Sequence, residues 1–194
     1  TMVTRRQILQ LAAAMLAVPV SELFADNTPS KLPLIQRKIP SSGELLPVVG
    51  MGTSRTFNMD NDPESLAQLT AVIKAFFAGK GMVIDSSPMY GNAESRVGDV
   101  LRSMQNHPKV FAATKVWTSG REQGIAEMQE SARRMNVKRF DLIAVHNLVD
   151  WRTQLDTLKA WKKEGKVRYI GITTSHGRDH DEFIQVMKNE PLDF

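Results

Sequence analysis

From Leu45 onward, short apolar runs alternate with helix-patterned segments at an interval of about thirty residues, and that rhythm leaves few folds open. The runs at 48–53, 82–85, 110–114, 140–145 and 169–173 read as buried strands. Between them, Leu66/Leu69/Ile73/Phe76, Val97/Val100/Leu101/Met104, Ile125/Met128/Ala132/Met135, Leu155/Leu158/Trp161 and Phe183/Ile184/Met187 recur at helical spacing, each one apolar stripe. Asp62-Pro63 is a helix-start signal, and Gly79, Gly81 and Gly165 fall where helices should stop. Successive units of this kind require a parallel sheet. With a sixth strand starting near Leu192, the order of elements fits either a doubly wound open sheet or a (β/α)8 barrel. Gly50-Met51-Gly52 continues as Thr53-Ser54-Arg55 and lacks the third glycine of a dinucleotide fingerprint, which disfavours a Rossmann first turn.

The 194 residues, 42% hydrophobic and 24% charged, suffice for one core and exclude a disordered, collagenous or multi-span membrane chain. Lys and Arg number 25 against 21 Asp and Glu, a formal charge of +4, and they are scattered without an aromatic ladder, so no nucleic-acid partner is expected. The absence of cysteine excludes disulfides, a thiolate nucleophile and thiolate-bound metal. Residues 1–25 read as an export signal: Arg5-Arg6, then Ile8-Leu9, an apolar stretch over 11–20, and Ala25 at a cleavable exit. The paired arginines resemble a twin-arginine signal, which implies the twin-arginine export machinery as a partner and a periplasmic location. The apolar run of about thirteen residues is shorter than the roughly twenty that span a bilayer, so no stable membrane anchor is expected. Residues 26–36 read as a linker and 37–194 as the folded domain.

Polar residues end four successive strands: Asp85, Lys115, His146 and Thr173. Equivalent positions on parallel strands gather at one rim, where a barrel places its active site, so an acid, an ammonium and an imidazole should meet there.

These residues lie in local motifs that resemble the aldo-keto reductase family. Lys38-Ile39-Pro40-Ser41-Ser42-Gly43-Glu44 is similar to the hairpin under the barrel, and Leu46-Pro47-Val48-Val49-Gly50-Met51-Gly52-Thr53 to its first strand. Asp85-Ser86-Ser87-Pro88-Met89-Tyr90-Gly91-Asn92-Ala93-Glu94, Ala113-Thr114-Lys115-Val116-Trp117 and Asp141-Leu142-Ile143-Ala144-Val145-His146 resemble the segments that carry the family's aspartate and tyrosine, lysine, and histidine. The resemblance runs from about Arg37 to Phe194. It implies an α/β fold, a (β/α)8 TIM barrel of aldo-keto reductase type, here the first five β/α units and the start of strand six. A whole barrel needs roughly 250 residues, so a C-terminally truncated chain is expected.

The resemblance further implies an NADPH-dependent reductase of a small carbonyl substrate. Tyr90 would be the general acid, Lys115 the charge that favours its phenolate form, Asp85 the partner of Lys115, and His146 a hydrogen-bond donor to the substrate oxygen. Gly52, Thr53, Asp85, Thr173 and Thr174 would contact the cofactor, Trp117 would wall the substrate pocket, and no metal is required. Thr174 stands where the family usually has asparagine, with fewer donors and acceptors for a carboxamide. His176 and His180 have the i, i+4 spacing of a metal pair, but Gly177 intervenes before the helix. The alternative is a non-catalytic barrel that senses a ligand or binds a partner.

Overall fold

The rhythm is realised as five β/α units set on a small hairpin. In the computed structural model, residues 33–105 and 107–194 are described. Residues 1–32, where the sequence leads us to expect an export signal and most of a linker, lie outside the described residues. Strands β1 (Gln36–Lys38) and β2 (Leu45–Pro47) pair antiparallel. Then β3 (Met51–Gly52), β4 (Val83–Asp85), β5 (Phe111–Val116), β6 (Phe140–His146) and β7 (Val167–Thr173) form an all-parallel sheet in chain order. Each is followed by a helix: α1 (Pro63–Ala78), α2 (Ala93–Ser103), α3 (Arg121–Met135), α4 (Trp151–Lys163) and α5 (His180–Asn189). The result is a partial barrel. After α5 the chain runs alongside β7, where Asp193 N donates to Ile170 O at 2.9 Å and Ile172 N to Phe194 O at 3.3 Å. A Cβ on Gly171 would lie 2.6 Å from Phe194 O, so this approach needs a residue without a side chain.

Local chemistry sets the boundaries. Asp62 Oδ1 accepts from Glu64 N at 3.0 Å and Ser65 N at 2.9 Å, with Pro63 opening α1. Two details differ from the periodicity. The first strand is only Met51–Gly52, because Val48 and Val49, 48% and 69% exposed, carry the chain from the hairpin to the sheet. In the helices, α1 buries Ser65, Leu69, Ile73 and Phe77, while α5 buries Phe183 and Val186 and leaves Ile184 and Met187 outside. Adjacent apolar residues such as Phe76-Phe77 offer two candidate stripes, and packing selects one.

Alternation along the strands divides the core in two. Ile84, Ala112, Val116, Ile143, Val145 and Ile170 face the helices. Phe111 and Tyr169, with Val83 and Leu142 beside them, face the barrel interior, where Ile39 and Leu46 of the hairpin cover them. Glu44 clamps the hairpin in place: it accepts from Tyr169 Oη at 2.5 Å and pairs with Arg168, whose other nitrogen lies 2.6 Å from Asp141 Oδ1.

The bond from Tyr169, then the Arg168 guanidinium, hold the Glu44 carboxyl below its ordinary value of 4.5 against an opposing effect of burial. A lowered carboxyl contributes stability that is present above its unfolded value and is lost as pH falls through the folded one. Glu44→Gln is therefore expected to cost about 1–2 kcal/mol in urea unfolding at pH 7, since water partly reaches the clamp. The deficit should shrink once pH drops below about 4.5.

Candidate active site

The strand parity that turns Phe111, Leu142 and Tyr169 inward also turns Lys115, His146 and Thr173 inward at the other end of the sheet. Register staggers them: Asp85 lies opposite Ala113, Lys115 opposite Ala144, and His146 opposite Thr173. From β4 to β5 and from β5 to β6 the polar residue moves two positions further on, as the tilt of barrel strands requires, whereas Thr173 on β7 stands level with His146.

Lys115 is the centre of the group. Its Nζ donates to Asp85 Oδ2 at 2.7 Å and to Ser86 O at 2.8 Å, and lies 5.1 Å from the centroid of the Tyr90 ring. The lysine side chain is 7% exposed and that of Asp85 42%, so the ammonium is fixed while the carboxylate still meets water. Tyr90 is half-buried against the core on the loop after β4. That loop turns through Gly91 at φ +59°, where a Cβ would strike Asn58 Oδ1 at 2.3 Å, and the same oxygen accepts from Asn92 N at 2.9 Å.

His146 is buried, and its Nδ1 has no partner among the described residues. Burial first, and the Lys115 charge second, hold the imidazole below its ordinary 6.5, with Asp85 opposing. It is neutral at pH 7 and so keeps one N–H to donate.

The remaining expected residues divide. Gly52 is exposed at the end of β3, opposite Asp85, with open space where a Cβ would stand. Thr53 is fully buried and its hydroxyl is spent within the protein, on Asp85 O at 3.0 Å and Ser86 Oγ at 2.9 Å; it braces the strand that carries Asp85. Thr173 ends β7 beside His146. Thr174 is exposed and its hydroxyl donates to His176 O at 3.0 Å, closing its own turn. Trp117 stands 47% exposed just beyond Lys115, its backbone N–H donating to Glu127 Oε1 at 2.6 Å. Gly120 N donates to Asp150 Oδ2 at 2.7 Å, and Gln154 Nε2 to Thr118 O and Gly120 O at 3.0 Å, so α4 anchors the loop after Trp117.

Three contributors escape strand-end reasoning. Ser86 is buried and gives its carbonyl to Lys115 and its hydroxyl oxygen to Thr53. Behind the lysine, Glu94 is fully buried and accepts from Thr114 Oγ1 at 2.7 Å; burial pushes its carboxyl up. Asn147 joins two loops of the rim. Its backbone N–H donates to Thr173 O at 2.7 Å, its Oδ1 accepts from Ser175 N at 2.8 Å, and its Nδ2 donates to Ser175 Oγ at 3.1 Å. At φ +52° it is a residue type that tolerates this conformation, the one signal in the sequence that could have marked it. Asn147→Gly keeps the backbone geometry and removes the amide bonds. It is expected to lower stability by about 0.5–1.5 kcal/mol and to speed hydrogen exchange of the Ser175 amide, read by NMR.

Among the described residues, no group of three or more His, Asp or Glu side chains could hold a metal ion. No helix among them is long and apolar enough to cross a membrane.

The sequence profile described as the Aldo/keto reductase family matches residues 48–191. The methylglyoxal reductase YeaE of Escherichia coli K12 is 31% identical over 159 residues, 78% of this chain and 54% of that protein. The methylglyoxal reductase DkgA of Salmonella typhimurium LT2 is 27% identical over 139 residues, covering 67% and 46%. Among solved structures, an aldo-keto reductase from Klebsiella pneumoniae in complex with NADPH superposes with a TM-score of 0.62 at 21% identity, covering 78% of this chain and 54% of that one. The chain spans about half the length of the curated relatives it matches.

Proposed function

The chain belongs to the aldo/keto reductase family, and from that premise we propose that it reduces the carbonyl group of a small aldehyde or ketone to the alcohol with NADPH as cofactor. The observation that carries this reading is the Lys115 ammonium, held 2.7 Å from the Asp85 carboxylate and 5.1 Å from the Tyr90 ring centroid. Relatives named as methylglyoxal reductases support a small carbonyl substrate.

The rim suits a nicotinamide. Gly52 leaves open space at the end of β3, Thr173 offers a hydroxyl at the end of β7, and Asn147 steadies the loop that follows. NADPH supplies the hydride when bound. Tyr90 donates its phenolic proton to the carbonyl oxygen as negative charge builds there, and Lys115 stabilises the phenolate left behind. Asp85 positions Lys115. His146, neutral and buried, donates a hydrogen bond to the same oxygen, orienting the carbonyl and sharing its charge. Trp117 walls the site and excludes water from one side.

The test is NADPH oxidation by the purified protein with methylglyoxal and with a nitrobenzaldehyde. Substrate-dependent oxidation is the expected result. Saturable NADPH binding without any turnover would favour a ligand-sensing barrel.

The segment around Arg5-Arg6 is proposed to direct export by the twin-arginine route and to place the protein in the periplasm. Arg5→Lys with Arg6→Lys is expected to abolish export of a reporter fused to residues 1–32. Continued export would assign the segment to general secretion.

A further inference from the structure

Every strand of a parallel sheet starts at the same end, so residues just before successive strands collect on one face. Lys80 precedes β4, Lys109 precedes β5, and Lys138 and Arg139 precede β6, all of them exposed. The hairpin adds Lys38, whose cross-strand partner is Leu45. Because their neighbours Ile39 and Leu46 are buried toward the sheet, alternation turns Lys38 and Leu45 outward, and Leu45 is 50% exposed.

The carboxylates on this face are already engaged. Glu44 and Asp141 pair with Arg168, Glu164 with Lys166, Glu190 with Lys159, and Asp193 with Lys162. Lys38, Lys80, Lys109, Lys138 and Arg139 enter no ion pair among the described residues. The opposite rim has the reverse balance: its loops carry Arg55 and Arg178 against Asp60, Asp62, Asp150 and Asp179. The domain is therefore polarised along its axis, cationic beneath and acidic around the candidate active site.

We propose that the face formed by the strand starts and the hairpin is a docking surface for an anionic phospholipid bilayer, bound peripherally with the active-site rim turned to water. Strands spaced by about 4.8 Å spread the cations before β4, β5 and β6 over a width of about 10 Å, to which the hairpin adds Lys38, room for more than one headgroup. The exposed apolar side chains of the hairpin and of the residues leading into it are aliphatic, Leu34 at 42%, Ile35 at 70% and Leu45 at 50%, and suit the headgroup boundary of a bilayer. A surface built to track a nucleic acid strand would instead interleave aromatic rings with its cations. The attraction is electrostatic and reaches about a Debye length, so salt controls it.

The experiment is co-flotation of the full chain with vesicles of phosphatidylglycerol and phosphatidylethanolamine, with phosphatidylcholine vesicles as the neutral comparison. Association with the anionic vesicles alone is expected at low salt, with release at about 1 M salt, where the Debye length is about 3 Å. The combined variant Lys80→Gln, Lys109→Gln, Lys138→Gln should lower the partition constant about a hundredfold. Arg55→Gln with Arg178→Gln, on the opposite rim, should leave it unchanged. Residues 1–25 are common to all these proteins, so the difference between variants reads this face and not the leader.

The proposal is overturned if the wild type ignores anionic vesicles at low salt, or if the triple variant floats as well as the wild type. It is also overturned if the opposite-rim variant is weakened equally, or if a single-stranded oligonucleotide displaces the protein from the vesicles at equal phosphate concentration.

Discussion

Tyr90→Phe is expected to reduce turnover of a reactive aldehyde by about 10²–10⁴-fold while NADPH affinity stays within a factor of two or so, because general acid catalysis is typically worth that much and the substitution deletes only the proton donor. The ring itself remains. It keeps its packing against the core and its place beside Lys115, so the fold and the shape of the pocket should not change. Steady-state kinetics with a nitrobenzaldehyde, paired with fluorescence titration of NADPH, makes the measurement. If the variant kept more than about a tenth of wild-type turnover, the loop after β4 would not be the catalytic centre.

A comparable loss is expected from Lys115→Met, for a different reason. The phenolic hydroxyl survives, but no positive charge stands beside the phenolate that forms as the proton leaves, and Asp85 loses the ammonium 2.7 Å away. Removing one partner of a fully buried ion pair commonly costs 3–5 kcal/mol of stability. Here the cost should be well below that range, because the Asp85 side chain is 42% exposed and water can solvate it. Large loss of turnover with modest loss of stability is thus the expected signature. The double variant Tyr90→Phe with Lys115→Met should be about as slow as the slower single variant, since the two residues serve one proton transfer. Multiplicative losses would mean that they act separately.

Much of this site was legible because a parallel strand advertises its end. An apolar run that stops at Asp85 or His146 places a polar side chain on the rim whatever the details of packing, and the common interval brings such residues together. The helical stripes were less legible where apolar residues sit side by side, as at Ile184 and Met187, which the pattern assigned to the core and the fold leaves outside. Loop geometry was less legible still. That the Thr53 hydroxyl is consumed by Asp85 and Ser86, or that Asn147 reaches across to Ser175, depends on which strands are neighbours and on a left-handed backbone angle. No short-range pattern carries that information, because the partners are separated by about thirty residues and meet only after the sheet forms.

The order of the sheet is also a schedule. Each of β4 to β7 pairs with the strand that precedes it in the chain, so every unit can dock on a finished template as it emerges from the ribosome, at low cost in loop closure. The clamp between Glu44 and Arg168 is different, for it joins residues 124 positions apart and must wait until β7 has been synthesised. Early, local assembly should therefore be quick, and seating of the hairpin should be the slow, late event. Seating the hairpin beneath the sheet is thus the step that ties the start of the described chain to β7, the fifth strand of the sheet, and it converts a row of units added one by one into a structure held at both ends.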